Sequence, residues 1–242
     1  MQPKGIVTTN KKFAEDTIKT ALILGLVKET QSLISLNFDS DQDAREEILT
    51  ALESHVFNST QVEPYFAPFY SFVLSEGDNN GITDNVIWVD KYHNETGGRA
   101  SNNPFNKDKL THLYRWYMYT GMGWRDPLGV FHPYPYDRIK RKLHHIFKDK
   151  KKLMIKNFIT NLGNTCSELD GGEIFIKNKS KNMDDNSISL GVSQALISLN
   201  EDKVITLFCP KDSDGLSIEK ALPDLKGEIK SYRLSRVEFN LS

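Results

Sequence analysis

The residues with the clearest potential for catalysis lie near the carboxyl end of the sequence. Asp224 is followed by Glu228 and Lys230, and metal-dependent nucleases combine an Asp with a Glu-x-Lys to hold Mg²⁺ beside a water-orienting lysine. Such groups normally come from adjacent strands joined by a turn, and the three residues between Asp224 and Glu228 leave too little chain for one. The spacing favours a loop that enters a strand, and a divergent nuclease is kept as an alternative.

Cysteine and histidine form no recognisable site in the sequence. The two cysteines, Cys166 and Cys209, belong to no CxxC motif, and no HExxH is present, so we expect reduced thiols and no zinc site. Neither GxGxxG nor a phosphate-binding loop of the GxxxxGK type occurs. We therefore predict a protein that is not an enzyme, with no catalytic residues, no metal ligands and no cofactor.

Positive charge is concentrated in one segment. Residues 137–156 contain nine basic and two acidic residues, giving +7, whereas the whole chain of 242 residues carries −1. Such a segment could neutralise several phosphates of a nucleic acid, although an acidic protein partner or plain solvent exposure would suit the same residues. The residues predicted to bind are Arg138, Lys140, Arg141, Lys142, Lys150, Lys151 and Lys152, with Arg115 and Arg125 as candidates nearer a nucleic-acid groove.

The elements that would position these residues follow a repeated order. An amphipathic helix begins after Asn10 and ends at Gly25, and a β-hairpin is predicted directly after it. A second copy runs from Asn106 to Gly121, with the same spacing, and continues into a hairpin that carries Arg125. A third helix, residues 189–199, precedes another extended run. A winged-helix domain ends in this same order, with a helix, a glycine and a hairpin.

The predicted fold class is α+β, mainly helical, built of tandem winged-helix units. Residues 1–75 are predicted as a helical region with a partial winged-helix unit, because too few residues precede Asn10 for the usual earlier helices. Residues 76–105, rich in Asn, Gly and Asp, are predicted as a long loop. Residues 106–150 are predicted as a winged-helix unit that contains the basic helix. Residues 151–242 are predicted as a carboxyl-terminal winged-helix-like unit.

Three short phrases of the sequence resemble a known group of proteins. They are Leu24-Gly25-Leu26-Val27, Leu113-Tyr114-Arg115-Trp116 with Gly121-Met122-Gly123-Trp124, and Leu169-Asp170-Gly171-Gly172. The pattern is similar to tandem winged-helix accessory proteins of bacterial DNA-modification and anti-phage clusters, either DpdG-type proteins or the middle components of three-component ABC- or SMC-type systems such as Lamassu. It covers about residues 10–36 and 106–240. The resemblance implies a non-catalytic subunit that docks on an ATPase and on DNA.

The leading hypothesis is an accessory subunit of a multi-protein anti-phage defence complex. It would bridge an SMC- or ABC-type ATPase or a nuclease and contact double-stranded DNA through the basic segment. The alternative from another class is a free-standing winged-helix transcription regulator. With no apolar run of the ~18 residues that span a bilayer and no signal-peptide core, we predict a cytoplasmic protein without a membrane partner.

Overall fold

In the computed structural model of this chain, the residues described are 11–23, 25–37, 44–57, 64–76, 81–96, 104–209, 215–220 and 230–240. The chain forms two compact units, residues 1–64 and residues 65–242. The predicted α+β class is confirmed, since helices alternate with small antiparallel sheets. The boundaries predicted at residues 105 and 150 both fall within the second unit.

The first unit contains the helix and hairpin predicted from Asn10. Helix α1 spans Lys11–Ile23, strand β1 spans Val27–Thr30 and strand β2 spans Leu33–Leu36. Gly25, the predicted helix end, has φ +69°, a value that glycine adopts without steric cost. Helix α2, Ala44–Leu52, continues as a π-helical turn over Glu53–Phe57.

The second unit begins with three helices and a hairpin. They are α3 (Phe66–Glu76), α4 (Asn85–Thr96), α5 (Lys107–Tyr119), β3 (Gly123–Arg125) and β4 (Phe131–Pro133). Helix α3 is buried almost all round, from Phe66 to Ser75. Between α3 and α4, Ile82 forms a single antiparallel bridge with Phe131 of β4. The Tyr117 hydroxyl of α5 donates to the Phe66 carbonyl at 2.7 Å.

Helix α4 corrects the prediction of a long loop over residues 76–105. The Asp84 carboxylate accepts from the backbone nitrogens of Val86 and Ile87 at 2.7 and 3.2 Å, the geometry of a helix amino-terminal cap. Trp88 and Tyr92 of this helix are buried four residues apart, which is the spacing of one helix face. The Asn, Gly and Asp residues around it concealed this pattern.

The remainder of the second unit surrounds a three-stranded sheet. Its elements are α6 (Tyr136–Phe147), β5 (Lys152–Met154), α7 (Ile155–Thr165), α8 (Glu173–Asn178), α9 (Leu190–Glu201), β6 (Ile205–Phe208), β7 (Leu216–Lys220), β8 (Lys230–Leu234) and β9 (Arg236–Phe239). The sheet order is β5-β9-β6, and all neighbours are antiparallel. Strands β7 and β8 pair separately.

One prediction in this region needs correction. The third unit is not a simple helix and hairpin, because β6 pairs with the distant β9. Gly163 lies within α7, which continues to Thr165, and a Cβ at Gly163 would lie 2.1 Å from the Gly171 backbone carbon. Gly163 therefore permits a close backbone approach.

Candidate nucleic-acid interface

Helix α6 separates its apolar and basic residues cleanly. Its inner face contains the buried side chains of Ile139, Leu143, Ile146 and Phe147, while Lys140, His144 and His145 are exposed. The helix ends at Lys148, whose φ of +48° turns the chain out of the helix. The basic residues are thus displayed because the apolar residues at helical spacing are buried.

The turn after α6 extends this exposed positive surface. Lys148, Lys150, Lys151 and Lys152 are all exposed. The Lys151 carbonyl accepts from the backbone nitrogen of Phe239 at 2.8 Å, so the turn is attached to the sheet through its backbone. These lysine side chains therefore stand on a supported turn.

Arg141 joins α6 to the carboxyl end of α5. Its Nη2 donates to the Thr120 carbonyl at 3.4 Å. Arg115 is exposed on α5, five residues before Thr120, so it lies about 7.5 Å along the helix axis and about 140° around it from Thr120. We use the name basic face for the following set of exposed or half-buried basic residues, of which one lies on α5 and the others lie on α6 or directly after it. They are Arg115, Lys140, Arg141, Lys142, His144, His145, Lys148, Lys150, Lys151 and Lys152.

Arg138 is not on the basic face, contrary to the sequence prediction. Its side chain is 1% exposed, and its Nε lies 2.9 Å from Oε1 of Glu168, whose side chain is 0% exposed. Arg138 points to the same side of α6 as the buried Ile139. It therefore forms a buried ion pair and cannot reach a phosphate.

Arg125 lies on the hairpin, as predicted, but its guanidinium is engaged within the protein. Its Nε donates to the Gly129 carbonyl at 2.8 Å, across the turn between β3 and β4. Its guanidinium carbon is 5.2 Å from the centre of the Tyr114 ring, within range of a cation–π interaction. The side chain is exposed, so a phosphate contact would compete with these two interactions.

A comparison with protein families adds a second line of evidence. The family described as DpdG-like matches residues 1–214 of the chain. The chain belongs to the DpdG-like family. No curated protein and no solved structure matches it. The match extends over both compact units and ends just before β7, so it includes the whole basic face of this DpdG-like protein.

Helix α9 of the DpdG-like chain differs sharply from α5. It contains no Lys or Arg, and most of its residues are buried. The Asp170 carboxylate accepts from the Ser189 backbone nitrogen at 2.7 Å and from its hydroxyl at 2.6 Å. Since a carboxylate already occupies the amino end of α9, an incoming phosphate would meet negative charge there.

Burial of this carboxylate also changes its titration. Desolvation raises the pKa of Asp170 to about 6, although the hydrogen bonds from Ser189 act in the opposite direction. In an apolar setting the neutral form of a carboxyl group is favoured. Asp170 is thus a structural group at the start of α9, and its charge depends on pH near neutrality.

Lys148 belongs to the basic face but is not among the residues that the sequence predicts to bind. The structure places Lys148 between α6 and the lysines of the following turn, exposed like them. Its presence in the +7 segment was the available signal, whereas its left-handed backbone could not be inferred from residue type. For Arg138 the available signal was its place beside Ile139 in the apolar pattern of α6.

Other predicted chemistry lies partly beyond the structural description. Asp224 and Glu228 fall outside the described residues, and Lys230 begins β8. Within the part of the chain that is described, no group of three or more His, Cys, Asp or Glu side chains could hold a metal ion. None of the described helices has the length and apolar character needed to cross a bilayer.

Proposed function

We propose that this DpdG-like chain is a non-catalytic accessory subunit of a bacterial DNA-modification or anti-phage system, and that its basic face binds double-stranded DNA. Family membership supports the first part. The exposed lysines and arginines between Arg115 and Lys152 are the observation that carries the second. Phosphate neutralisation by such residues supplies affinity that does not depend on base sequence.

The order of elements supports a tandem winged-helix architecture for the second unit. Its first half runs α3, Ile82, α4, α5, β3 and β4, with Ile82 paired to β4. Its second half runs α6, β5, α7, α9, β6 and β9, with α8 inserted before α9, with β7 and β8 inserted before β9, and with β9 between β5 and β6 in the sheet. In both halves the last strand lies between the first strand and the strand after the third helix, which is the arrangement of a winged-helix domain.

The two halves would then have different roles. Helix α5 takes the recognition-helix position in the first half and presents Arg115, whereas α9 takes it in the second and is buried without basic residues. We assign DNA contact to α5, α6 and the following turn. The second half would support this surface and leave other surfaces for protein partners, an SMC- or ABC-type ATPase or a nuclease.

Charge reversal tests the DNA contact. The variant Lys148→Glu/Lys151→Glu should bind a fluorescent 20-base-pair duplex at least ~10-fold more weakly at low salt, and the slope of log K against log salt should fall by about two units. The matched control Lys177→Glu/Lys181→Glu changes two exposed lysines outside the basic face and should retain binding. Equal affinities for the two variants would refute the DNA contact.

Affinity purification from the native host tests the accessory role. A tagged chain should co-purify in stoichiometric amount with an ATPase or a nuclease encoded beside it. DNA binding and partner binding are separate readouts, so one can fail without the other. Turnover of DNA by the purified chain alone would contradict the non-catalytic assignment.

A further inference from the structure

Three pairs of antiparallel strands follow helices, β1-β2 after α1, β3-β4 after α5 and β6-β9 after α9, and they differ in how their second strand is covered. Strand β4 is bridged on its far edge by Ile82, and β9 is paired on its far edge by β5; both contacts are antiparallel. Strand β2 of the first unit pairs with β1 alone among the strands of the described residues. The position that is open at β2 is therefore closed by a strand at β9 and by a single bridging residue at β4.

Strand β2 has none of the features that normally protect a free edge. Leu33, Ile34 and Leu36 are 73%, 46% and 51% exposed, and the strand contains no charged residue and no proline. Natural edge strands usually carry lysine, proline or a bulge to prevent pairing with other chains. An uncharged, exposed apolar edge is instead suited to receiving another strand.

The hydrogen bonds of the hairpin determine which backbone groups point outward. The Asn37 nitrogen donates to the Leu26 carbonyl at 3.0 Å, and the register pairs Ser35 with Lys28 and Leu33 with Thr30. Since hydrogen-bonded and non-hydrogen-bonded pairs alternate in antiparallel strands, residues 33, 35 and 37 bond toward β1. The N–H and C=O groups of Ile34 and Leu36 therefore point away from β1.

We propose that β2 pairs antiparallel with β2 of a second copy of this chain, with Ser35 on the two-fold axis. Ile34 of each copy then lies opposite Leu36 of the other, and these two outward-facing pairs form about four backbone hydrogen bonds. The result is a four-stranded sheet across the dimer. This interface is independent of the DNA contact proposed above.

Register and charge both favour the second copy as the occupant. A pairing centred on Ile34 would place Leu36 opposite Ser32, a turn residue with φ +63°, whereas the register centred on Ser35 pairs Ile34 and Leu36, the two outward-facing residues of β2, with each other. A closing strand must place apolar residues opposite Ile34 and Leu36 without adding charge, and β2 itself does so. Lys28 and Glu29 lie on β1, one strand away from the axis.

Engineered disulfide formation tests the register directly. In the full chain with Cys209→Ser, which removes the exposed native thiol, Ser35→Cys should form a disulfide-linked dimer on oxidation with copper phenanthroline. Opposed residues at a non-hydrogen-bonded pair have Cα atoms about 4.5 Å apart, within the range that a disulfide bridges. The matched control is Lys28→Cys, exposed on β1, whose two copies would be about 14 Å apart.

Sedimentation velocity provides the second measurement. An interface of this size should give weak association. The weight-average sedimentation coefficient of the wild-type protein should therefore rise with protein concentration. Ile34→Lys adds a charge to the edge and should weaken dimerisation at least ~10-fold, with the circular dichroism spectrum unchanged. A wild-type chain that stays monomeric over the whole range, or cross-linking at residue 35 no faster than at residue 28, would overturn the proposal.

Discussion

At the residue scale, chemical type alone does not decide whether a side chain binds a partner. Arg138 and Lys140 are two residues apart in the same basic segment, yet one is buried against Glu168 and the other is exposed. The difference follows from helical spacing, because Arg138 shares the inner side of α6 with Ile139. Glu168 is held in turn at its carbonyl by the Ser71 hydroxyl of α3.

The buried pair leads to a stability prediction. Arg138→Met should lower the free energy of unfolding by about 3–5 kcal/mol, because it leaves the Glu168 carboxylate buried without its ion-pair partner. The double variant Arg138→Met/Glu168→Leu should recover most of this loss, since no buried charge remains. Urea denaturation measures both. A loss below about 1 kcal/mol for the single variant would contradict the structural role assigned here.

Asp170 gives a prediction about pH. Because burial raises its pKa from 3.8 in the unfolded chain to about 6 in the folded one, the folded state holds its proton more tightly. Its contribution is most favourable below pH 4 and is lost as pH rises to about 6, a change of about 3 kcal/mol. Raising the pH from about 4 to 7 should therefore lower the unfolding free energy of the wild type by about 3 kcal/mol relative to that of Asp170→Asn.

The comparison with Asn isolates this one carboxyl group, since the other titrating groups are common to both proteins. The control is Asp185→Asn. The Lys179 ammonium lowers the pKa of the exposed Asp185. Ionisation of Asp185 therefore does not lower the unfolding free energy as pH rises. Parallel stability curves for wild type and Asp170→Asn would show that Asp170 is ionised in the folded protein like an ordinary surface carboxylate.

At the element scale, the sequence predicted well those elements whose signals are local. Helix α5 begins after Asn106, whose side chain accepts from the nitrogens of Asp108 and Lys109, and the chain after it turns at Gly121 with φ +71°. Cap, apolar spacing and glycine all lie within sixteen residues of sequence. The predicted helix and hairpin of residues 106–131 are accordingly confirmed.

Elements that depend on distant partners were not predictable in the same way. Strand β5 has three residues and exists because β9, more than 80 residues later, pairs with it. Leu234 and Val237 are both buried, and the change of parity between them marks two strands with different partners, separated at Ser235. Only the tertiary structure distinguishes this arrangement from a bulge in one strand.

At the scale of the whole molecule, charge is distributed so that binding is local. The chain carries −1 overall, and the +7 segment is offset by an acidic remainder. A nearly neutral protein with one positive surface is attracted to a polyanion mainly through that surface. This distribution is what the proposed DNA contact requires, because it would orient the chain with the basic face toward the polyanion.

The division into two units leads to the last prediction. Leu49 is 1% exposed in the first unit, and its replacement by Ala should cost about 2–5 kcal/mol. All three tryptophans, Trp88, Trp116 and Trp124, belong to the second unit, so fluorescence reports on that unit alone. If each unit unfolds as its own cooperative body, Leu49→Ala should shift the unfolding followed by far-ultraviolet circular dichroism and leave the fluorescence transition in place. The matched variant is Leu162→Ala, at a position that is 0% exposed in the second unit, and it should shift the fluorescence transition. If circular dichroism and fluorescence shift equally in both variants, the two units unfold together.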